Sequence, residues 1–297
     1  MGKLVLLLPF FLWGTAMVVM KSVLPHTTPL FMAGLRLVPA GTLLLLVAKW
    51  LQRPQPKTGR AWAWIAVFAF FDAFLFQLFL ALGLTETGAG LGSLLIDSQP
   101  IAVAVLAFLI YKEKIDRYCG VGLALGIVGI TLVGMPAEVR DLVLAGDWLG
   151  VWQAGLFARG EWFMLAAALA MAIGTILIRP VVAVADPLVA TGWHMVLGGL
   201  PLLLWSLPDS DAWGSLSGMD WVGLLYMSVM GSAIAYGLFF YFASRGNLTS
   251  LSALTFSTPM FALLFSSFFL QERLAWVQWL GVVVTLGSIY LVSRAHD

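Results

Sequence analysis

Apolar residues in this chain run in long blocks, separated by short stretches that are polar or rich in Gly and Pro. A helix needs about 20 mainly apolar residues to cross a bilayer. Blocks of that kind lie at 3–24, 29–49, 61–83, 87–110, 118–135, 161–180, 187–206, 219–243, 248–270 and 275–294. They predict an all-α membrane protein with ten transmembrane helices. The longest interval, 136–160, is too short to fold alone and reads as an extracytoplasmic linker. The first block continues through Trp13, Gly14 and Met20 without a small-x-small cleavage pattern, so it reads as a span rather than a signal peptide.

Composition supports the pattern. Of the 297 residues, 61% are hydrophobic and 10% charged. A soluble domain carries about 25% charged residues. The formal net charge of +1 offers no clustered cations for phosphates, so nucleic acid is not an expected partner. A single cysteine, Cys119, excludes an intrachain disulfide and a Cys-based metal site.

Short-loop Lys and Arg set the expected orientation. With the N-terminus inside, the inner segments hold Lys3, Lys49, Arg53, Lys57, Arg60, Lys112, Lys114, Arg117, Arg179, Arg245 and Arg294. The outer segments hold Lys21, Arg140, Arg159 and Arg273. The imbalance predicts that both termini are cytoplasmic.

The two halves also resemble each other. Aligned without a gap, the stretch from Ser93 places Ser98 on Ser257, Pro100 on Pro259, Glu113 on Glu272 and Gly122 on Gly281. Upstream, Trp62 meets Trp221, Gly34 meets Gly192 and Arg36 meets His194. Gly14-Thr15 and Gly174-Thr175 begin the two copies in the same way. The repeat therefore has five helices, as residues 1–135 and 161–297. An odd number of spans forces the second copy to enter the membrane inverted. Inverted repeats are a hallmark of secondary transporters, which bind substrate near the midplane between the halves.

The paired segments Pro100…Glu113…Gly122 and Pro259…Glu272…Gly281, with Trp13-Gly14 and Arg36, resemble the EamA-type family of the drug/metabolite transporter superfamily. That resemblance spans the whole chain. It implies ten helices, cytoplasmic termini, a central cavity open to one side at a time, and gradient-driven export of small metabolites, often amino acids. It also implies a multi-pass protein of a bacterial-type inner membrane. Asp97 departs from the common family pattern, in which this position is small or uncharged.

Arg36, Asp72, Asp97 and His194 fall inside predicted spans, near their centres. A charge at the bilayer centre costs about 2.5–3.5 kcal/mol on insertion scales, so such residues are expected to share a cavity or pair. Asp97 reads as a proton carrier, a ligand for a substrate amine, or a structural partner of Arg36. Arg36 reads either as a fork for a substrate carboxylate or as an ion pair with Asp72 or Asp97. His194 reads as a proton relay or as a hydrogen-bonded bundle residue. Ser93 lies one turn before Asp97 and shares its face. Pro100 frees a backbone carbonyl near the same level. Trp13, Phe76, Trp193 and Tyr236 are candidates for an aromatic pocket wall, and Gln77 occupies the repeat position of Tyr236. The small-residue stripe Gly122, Gly126 and Gly129 predicts a tight helix pair or a homodimer contact. Glu113 and Glu272 are expected to pin the turns after the fourth and ninth spans.

No phosphate loop, zincin motif or G-x-S-x-G nucleophile motif is present. An intramembrane enzyme, a metal centre and a cofactor are therefore not expected, and a channel fits inverted repeats less well than a carrier. The expected partners are a small-molecule substrate and the bilayer, with the chain a monomer or homodimer. The leading substrate is an amino acid or related zwitterion, with proton coupling at Asp97. The alternative is a lipophilic cation held by aromatics.

Overall fold

The computed structural model describes residues 3–294 except 114–115, 135–136, 155–158, 246–247 and 272–274. The described residues are overwhelmingly helical, with no strand among them. Chain order runs α1 (Lys3–Val23), α2 (Pro29–Trp50), α3 (Gly59–Glu86), α4 (Ala89–Ile96), α5 (Gln99–Tyr111) and α6 (Arg117–Gly134). Two short helices follow, α7 (Ala137–Ala145) and α8 (Trp148–Ala154). The rest is α9 (Arg159–Val182), α10 (Pro187–Ser206), α11 (Gly218–Ala243), α12 (Leu248–Ala253), α13 (Thr258–Phe269) and α14 (Trp276–Arg294). Six of these helices are long and apolar enough to cross a membrane: α1 (from Val5), α2, α3, α9, α10 and α11.

Local chemistry explains the boundaries. Pro29 and Pro187 open α2 and α10, where a missing N–H costs nothing. Asp186 caps α10 by accepting from the backbone N–H groups of Leu188 and Val189. Ser217 and Asp220 form a reciprocal capping box on α11. Lys21 donates to the Leu84 and Thr87 carbonyls at 2.7 and 2.6 Å, neutralising the C-terminal end of α3.

Three features differ from the predicted spans. The expected continuous helix 87–110 is two helices, broken at Asp97–Ser98, because Pro100 cannot donate to the Ile96 carbonyl. The expected helix 248–270 is broken in the same way, through a 3-10 turn at Leu254–Ser257 before Pro259. Lys112 and Gln271, which are repeat counterparts, both end their segments in the left-handed region, at φ 56° and 55°. The interval 136–160, expected as a plain linker, holds α7 and α8, separated by Gly146 at φ 73° and capped by Asp147, which accepts from Gly150. Finally, α3 and α11 each carry a π-helical stretch, at Ala69–Leu75 and Val229–Ile234. Such stretches widen a helix locally and often sit at functional sites.

The pairing of helices is two-sided. α2 packs along α10, and α6 along α14. α1 packs against α11 and α13, while α9 packs against α3 and α5. Exchanging the two halves maps the α2–α10 and α6–α14 pairings onto themselves and turns the α1 pairings into the α9 pairings. Glycines permit the close approach. A Cβ on Gly41 would stand 2.6 Å from the Gly192 carbonyl oxygen, and one on Gly34 would stand 2.5 Å from the Leu203 amide nitrogen. Gly129 of the predicted small-residue stripe lies against Gly281 and Thr285, so that stripe is used within the chain. The side chain of Cys119 and the residue Glu272 lie outside the described residues.

Gly41→Val should therefore lower stability by about 1–3 kcal/mol, the usual cost of overpacking. Gly287 faces open space in the interior of α14, so Gly287→Ala should raise stability by about 0.5–1 kcal/mol. Thermal unfolding of the purified protein in detergent measures both. Equal effects at the two positions would refute the close-packing account.

Candidate functional site

A cavity of about 430 Å³ lies between the helices of both halves. Its wall takes Trp13, Met17 and Met20 from α1, Arg36 from α2, Phe76 from α3 and Ser93 from α4. Asp97 lines it from the break between α4 and α5. Met171 of α9, Tyr236 of α11 and Thr258 of α13 complete the opposite side.

Arg36 and the Asp97 carboxyl both line this space, and the structure does not pair them as expected. Arg36 is buried, yet among the described residues it makes no ion pair with Asp72 or Asp97. It donates instead to the Gln77 side-chain oxygen and, at 2.9 Å, to the Met20 sulfur. Gln77 passes the chain on, donating to the Tyr236 hydroxyl at 2.9 Å. These two repeat counterparts thus touch each other at the junction of the halves. The network orients the guanidinium without neutralising it, and Arg36 Nε remains without a hydrogen-bond partner.

Asp97 is buried and, among the described residues, accepts only from Ser93, at 3.1 Å across one helical turn. That is the spacing expected from the sequence. The helix break puts the carboxyl at the end of α4 rather than in mid-helix. Two more polar atoms on the same wall, Trp13 Nε1 and Thr258 Oγ1, are also buried without hydrogen-bond partners. A buried polar atom left unpaired costs about 1–3 kcal/mol. Three such atoms, together with Arg36 and the Asp97 carboxyl, leave unmet hydrogen-bonding capacity around one cavity.

The aromatic lining is partly as expected. Trp13 and Tyr236 meet edge-to-face at 5.0 Å, and Phe76 joins them on the wall. Trp193 does not. Its indole Nε1 donates to Gln55 at 2.9 Å, and its ring packs edge-on against Trp62 at 5.1 Å. The reason is helical phase: Trp193 precedes the inward-facing His194 by one residue, about 100° around α10.

Asp72 and His194 form a separate pair behind the cavity, almost without solvent contact. The Thr191 carbonyl lies 2.6 Å from His194 Nδ1 and can only accept, so Nδ1 carries a hydrogen. Nε2 sits 3.1 Å from Asp72 Oδ2. One proton is thus shared between them. Either a neutral ring accepts from a carboxylic acid or an imidazolium donates to a carboxylate, and both arrangements have no net charge. Phe68 stacks on the imidazole at 4.2 Å. Asp72 fits here because Gly174 of α9 has no side chain where its carboxyl lies.

Sequence reasoning overlooked several participants. Met20 and Met171 read as ordinary lipid-span residues, and nothing in their spacing marks them as wall residues; Thr258, beside Pro259, carries the same signal as Gln99 beside Pro100. Gln99, which donates to Thr175 at 2.7 Å, had a readable signal as a polar residue beside the helix-breaking Pro100. Glu113, expected to pin a turn, reaches across the halves to Arg179, whose guanidinium also lies 4.4 Å above the Tyr111 ring.

A bundle of long apolar helices around a buried, partly polar cavity fits a membrane transporter. The family model of the EamA-like transporter family matches residues 1–135 and 158–294, and the chain belongs to that family. The chain is 54% identical to an uncharacterised transporter of Synechocystis sp., over 99% of this chain and 90% of that protein. It is 49% identical to a chloroplastic WAT1-related protein of Arabidopsis thaliana, over 97% of this chain and 68% of that protein. A protein of Salmonella typhimurium named as a probable amino-acid metabolite efflux pump is 28% identical, over 96% of this chain and 92% of that protein. One solved crystal structure shares the fold with a TM-score of 0.75 at 14% identity, covering 99% of this chain and 97% of that one. The protein is thus a multi-pass membrane transporter rather than an enzyme, and its bacterial relatives fit an inner-membrane location.

The shared proton of the Asp72–His194 pair makes a specific prediction. In Asp72→Asn the amide can donate to Nε2 of the neutral ring, so stability should stay within about 1 kcal/mol of the parent. Asp72→Leu strands Nε2 and should cost about 1–3 kcal/mol. Thermal unfolding of the two variants in nanodiscs tests this, and equal loss in both would argue against the pair.

Proposed function

We propose that this protein is a secondary exporter of small zwitterionic metabolites, foremost apolar or aromatic amino acids, working by alternating access. One observation carries the reading: Arg36 and Asp97 line the same cavity, buried and without counter-ions of their own among the described residues. A substrate carboxylate completes the guanidinium, whose planar fork matches two oxygens. A substrate ammonium completes Asp97. Trp13, Phe76 and the methionines receive an apolar side chain. The name of the Salmonella relative agrees with this class. A lipophilic cation is the weaker reading, because Arg36 on the same wall would repel it.

The moving parts in this proposal are two inverted five-helix repeats, residues 1–135 and 161–297, with 136–160 as an extracytoplasmic linker and both termini cytoplasmic. Supporting it are the exchange-related helix pairings, the matched breaks before Pro100 and Pro259, and the matched π-helical stretches. The Glu113–Arg179 pair joins the halves at the cytoplasmic end and acts as a latch when the protein faces outward. Asp97 exchanges a proton for the substrate ammonium, which couples flux to a proton gradient. Asp72 and His194 hold the halves in register beside the site.

Flux into proteoliposomes, with labelled amino acids and one lipophilic cation, tests these roles. Arg36→Ala should lower amino-acid uptake by about 10–100-fold, the value of a charge-assisted hydrogen bond. A folded Arg36→Ala protein that carries amino acids normally would remove the carboxylate role. Asp97→Asn should abolish stimulation by a pH gradient while leaving substrate exchange. Equal loss of both would assign Asp97 to binding rather than coupling.

A further inference from the structure

A second, larger hollow lies outside the transport cavity. It is an open groove of about 1260 Å³ between the C-terminal half of α2, the start of α10 and α11. Its walls are aliphatic: Leu43, Leu44 and Val47 on one side, Ile234 and Leu238 on the other. Gly237 deepens the floor because it brings no side chain; a Cβ there would meet Leu44 at 3.3 Å. One end of the groove is polar. Arg53 follows α2, Arg245 follows α11, and Tyr241 lies between them and the apolar walls.

The charge at this end is only partly answered. Asp186 stands 3.7 Å from Arg53, too far for a hydrogen bond, and its other oxygen caps α10. Arg245 makes no ion pair among the described residues, and its guanidinium rests 4.5 Å over the Tyr241 ring. Two guanidinium groups and one carboxylate leave a net positive mouth on an apolar trough. We propose that this groove is a binding site for one anionic phospholipid, with its phosphate at Arg53, Arg245 and Tyr241 and its acyl chains along Leu44, Val47 and Leu238. The site is independent of the transported substrate. It rests on the proposed orientation only for the leaflet: with cytoplasmic termini, the arginine end faces the cytoplasmic leaflet, where basic pockets between helices take anionic head groups.

The charge and the shape select this occupant together. A soluble anion has no use for the aliphatic trough. A zwitterionic lipid brings a cation that the two arginines oppose. Each arginine near a lipid surface is worth about 1 kcal/mol, or about fivefold in affinity.

Native mass spectrometry of the purified protein, given equal phosphatidylglycerol and phosphatidylcholine, tests the site. The parent protein should retain one phosphatidylglycerol in preference. Arg53→Gln with Arg245→Gln should lower that retention about 30-fold, the product of two arginine contributions. Arg60→Gln, an exposed arginine away from the groove, should change nothing. Equal retention of the two lipids by the parent, or undiminished retention by the double variant, would overturn the proposal. So would a dimer mass that the double variant abolishes, because the groove would then hold a second copy of the chain. The thermal midpoint of each variant without added lipid identifies any folding loss separately.

Discussion

Arg36 carries a permanent charge into an apolar helical bundle, and much of the surrounding structure answers that cost. The guanidinium cannot deprotonate to escape burial, as a lysine or histidine would. It is therefore held by neutral acceptors, Gln77 and the Met20 sulfur, with Tyr236 behind Gln77. Neutral acceptors orient the charge without cancelling it, as the proposed carboxylate role requires. An aspartate in their place would satisfy Arg36 permanently and close the site. The nearest histidine–carboxylate pair is kept self-contained instead, since Asp72 and His194 share one proton and cancel each other.

Helix discontinuity is the second element of the design. A continuous helix hides its backbone groups and spreads its side chains around a cylinder. Breaking the segment before Pro100 ends α4 at Asp97 and turns that carboxyl into the cavity. The break before Pro259 brings Thr258 to the facing wall. The π-helical stretches in α3 and α11 shift the phase of Phe76, Gln77 and Tyr236, which follow them. Asp97, Thr258, Phe76 and Tyr236 thus come to the cavity from places where ordinary helical geometry is interrupted.

Close packing makes these interruptions tolerable. Lipid supplies little hydrophobic drive between helices, so contact area and fit must hold them together. Gly34, Gly41 and Gly192 let α2 and α10 approach backbone to backbone, while Gly174 makes room for Asp72. The same scarcity of side chains at Gly237 leaves a trough on the outer surface. One residue type therefore serves both tight internal packing and the shape of an external groove.

The apolar blocks, the likeness between the two halves of the sequence, the buried Arg36, Asp97 and His194, and the Ser93–Asp97 spacing were all legible in the sequence. Each is a property of one segment, or of two segments compared along the chain, and helical periodicity suffices to read it. Other facts required several helices at once. Arg36 had two partners in the chain by charge, Asp72 and Asp97, and packing gave it Gln77 and Met20 instead. Trp193 looked equivalent to Trp13 until the phase of α10 turned it toward Gln55 and Trp62. The methionines on the wall carry no sequence signature, since an apolar residue reads alike whether it faces lipid, core or cavity. Sequence determined which groups are costly to bury. Tertiary structure decided which neighbour meets that cost, because a hydrogen bond depends on distances of about 3 Å between segments far apart in the chain.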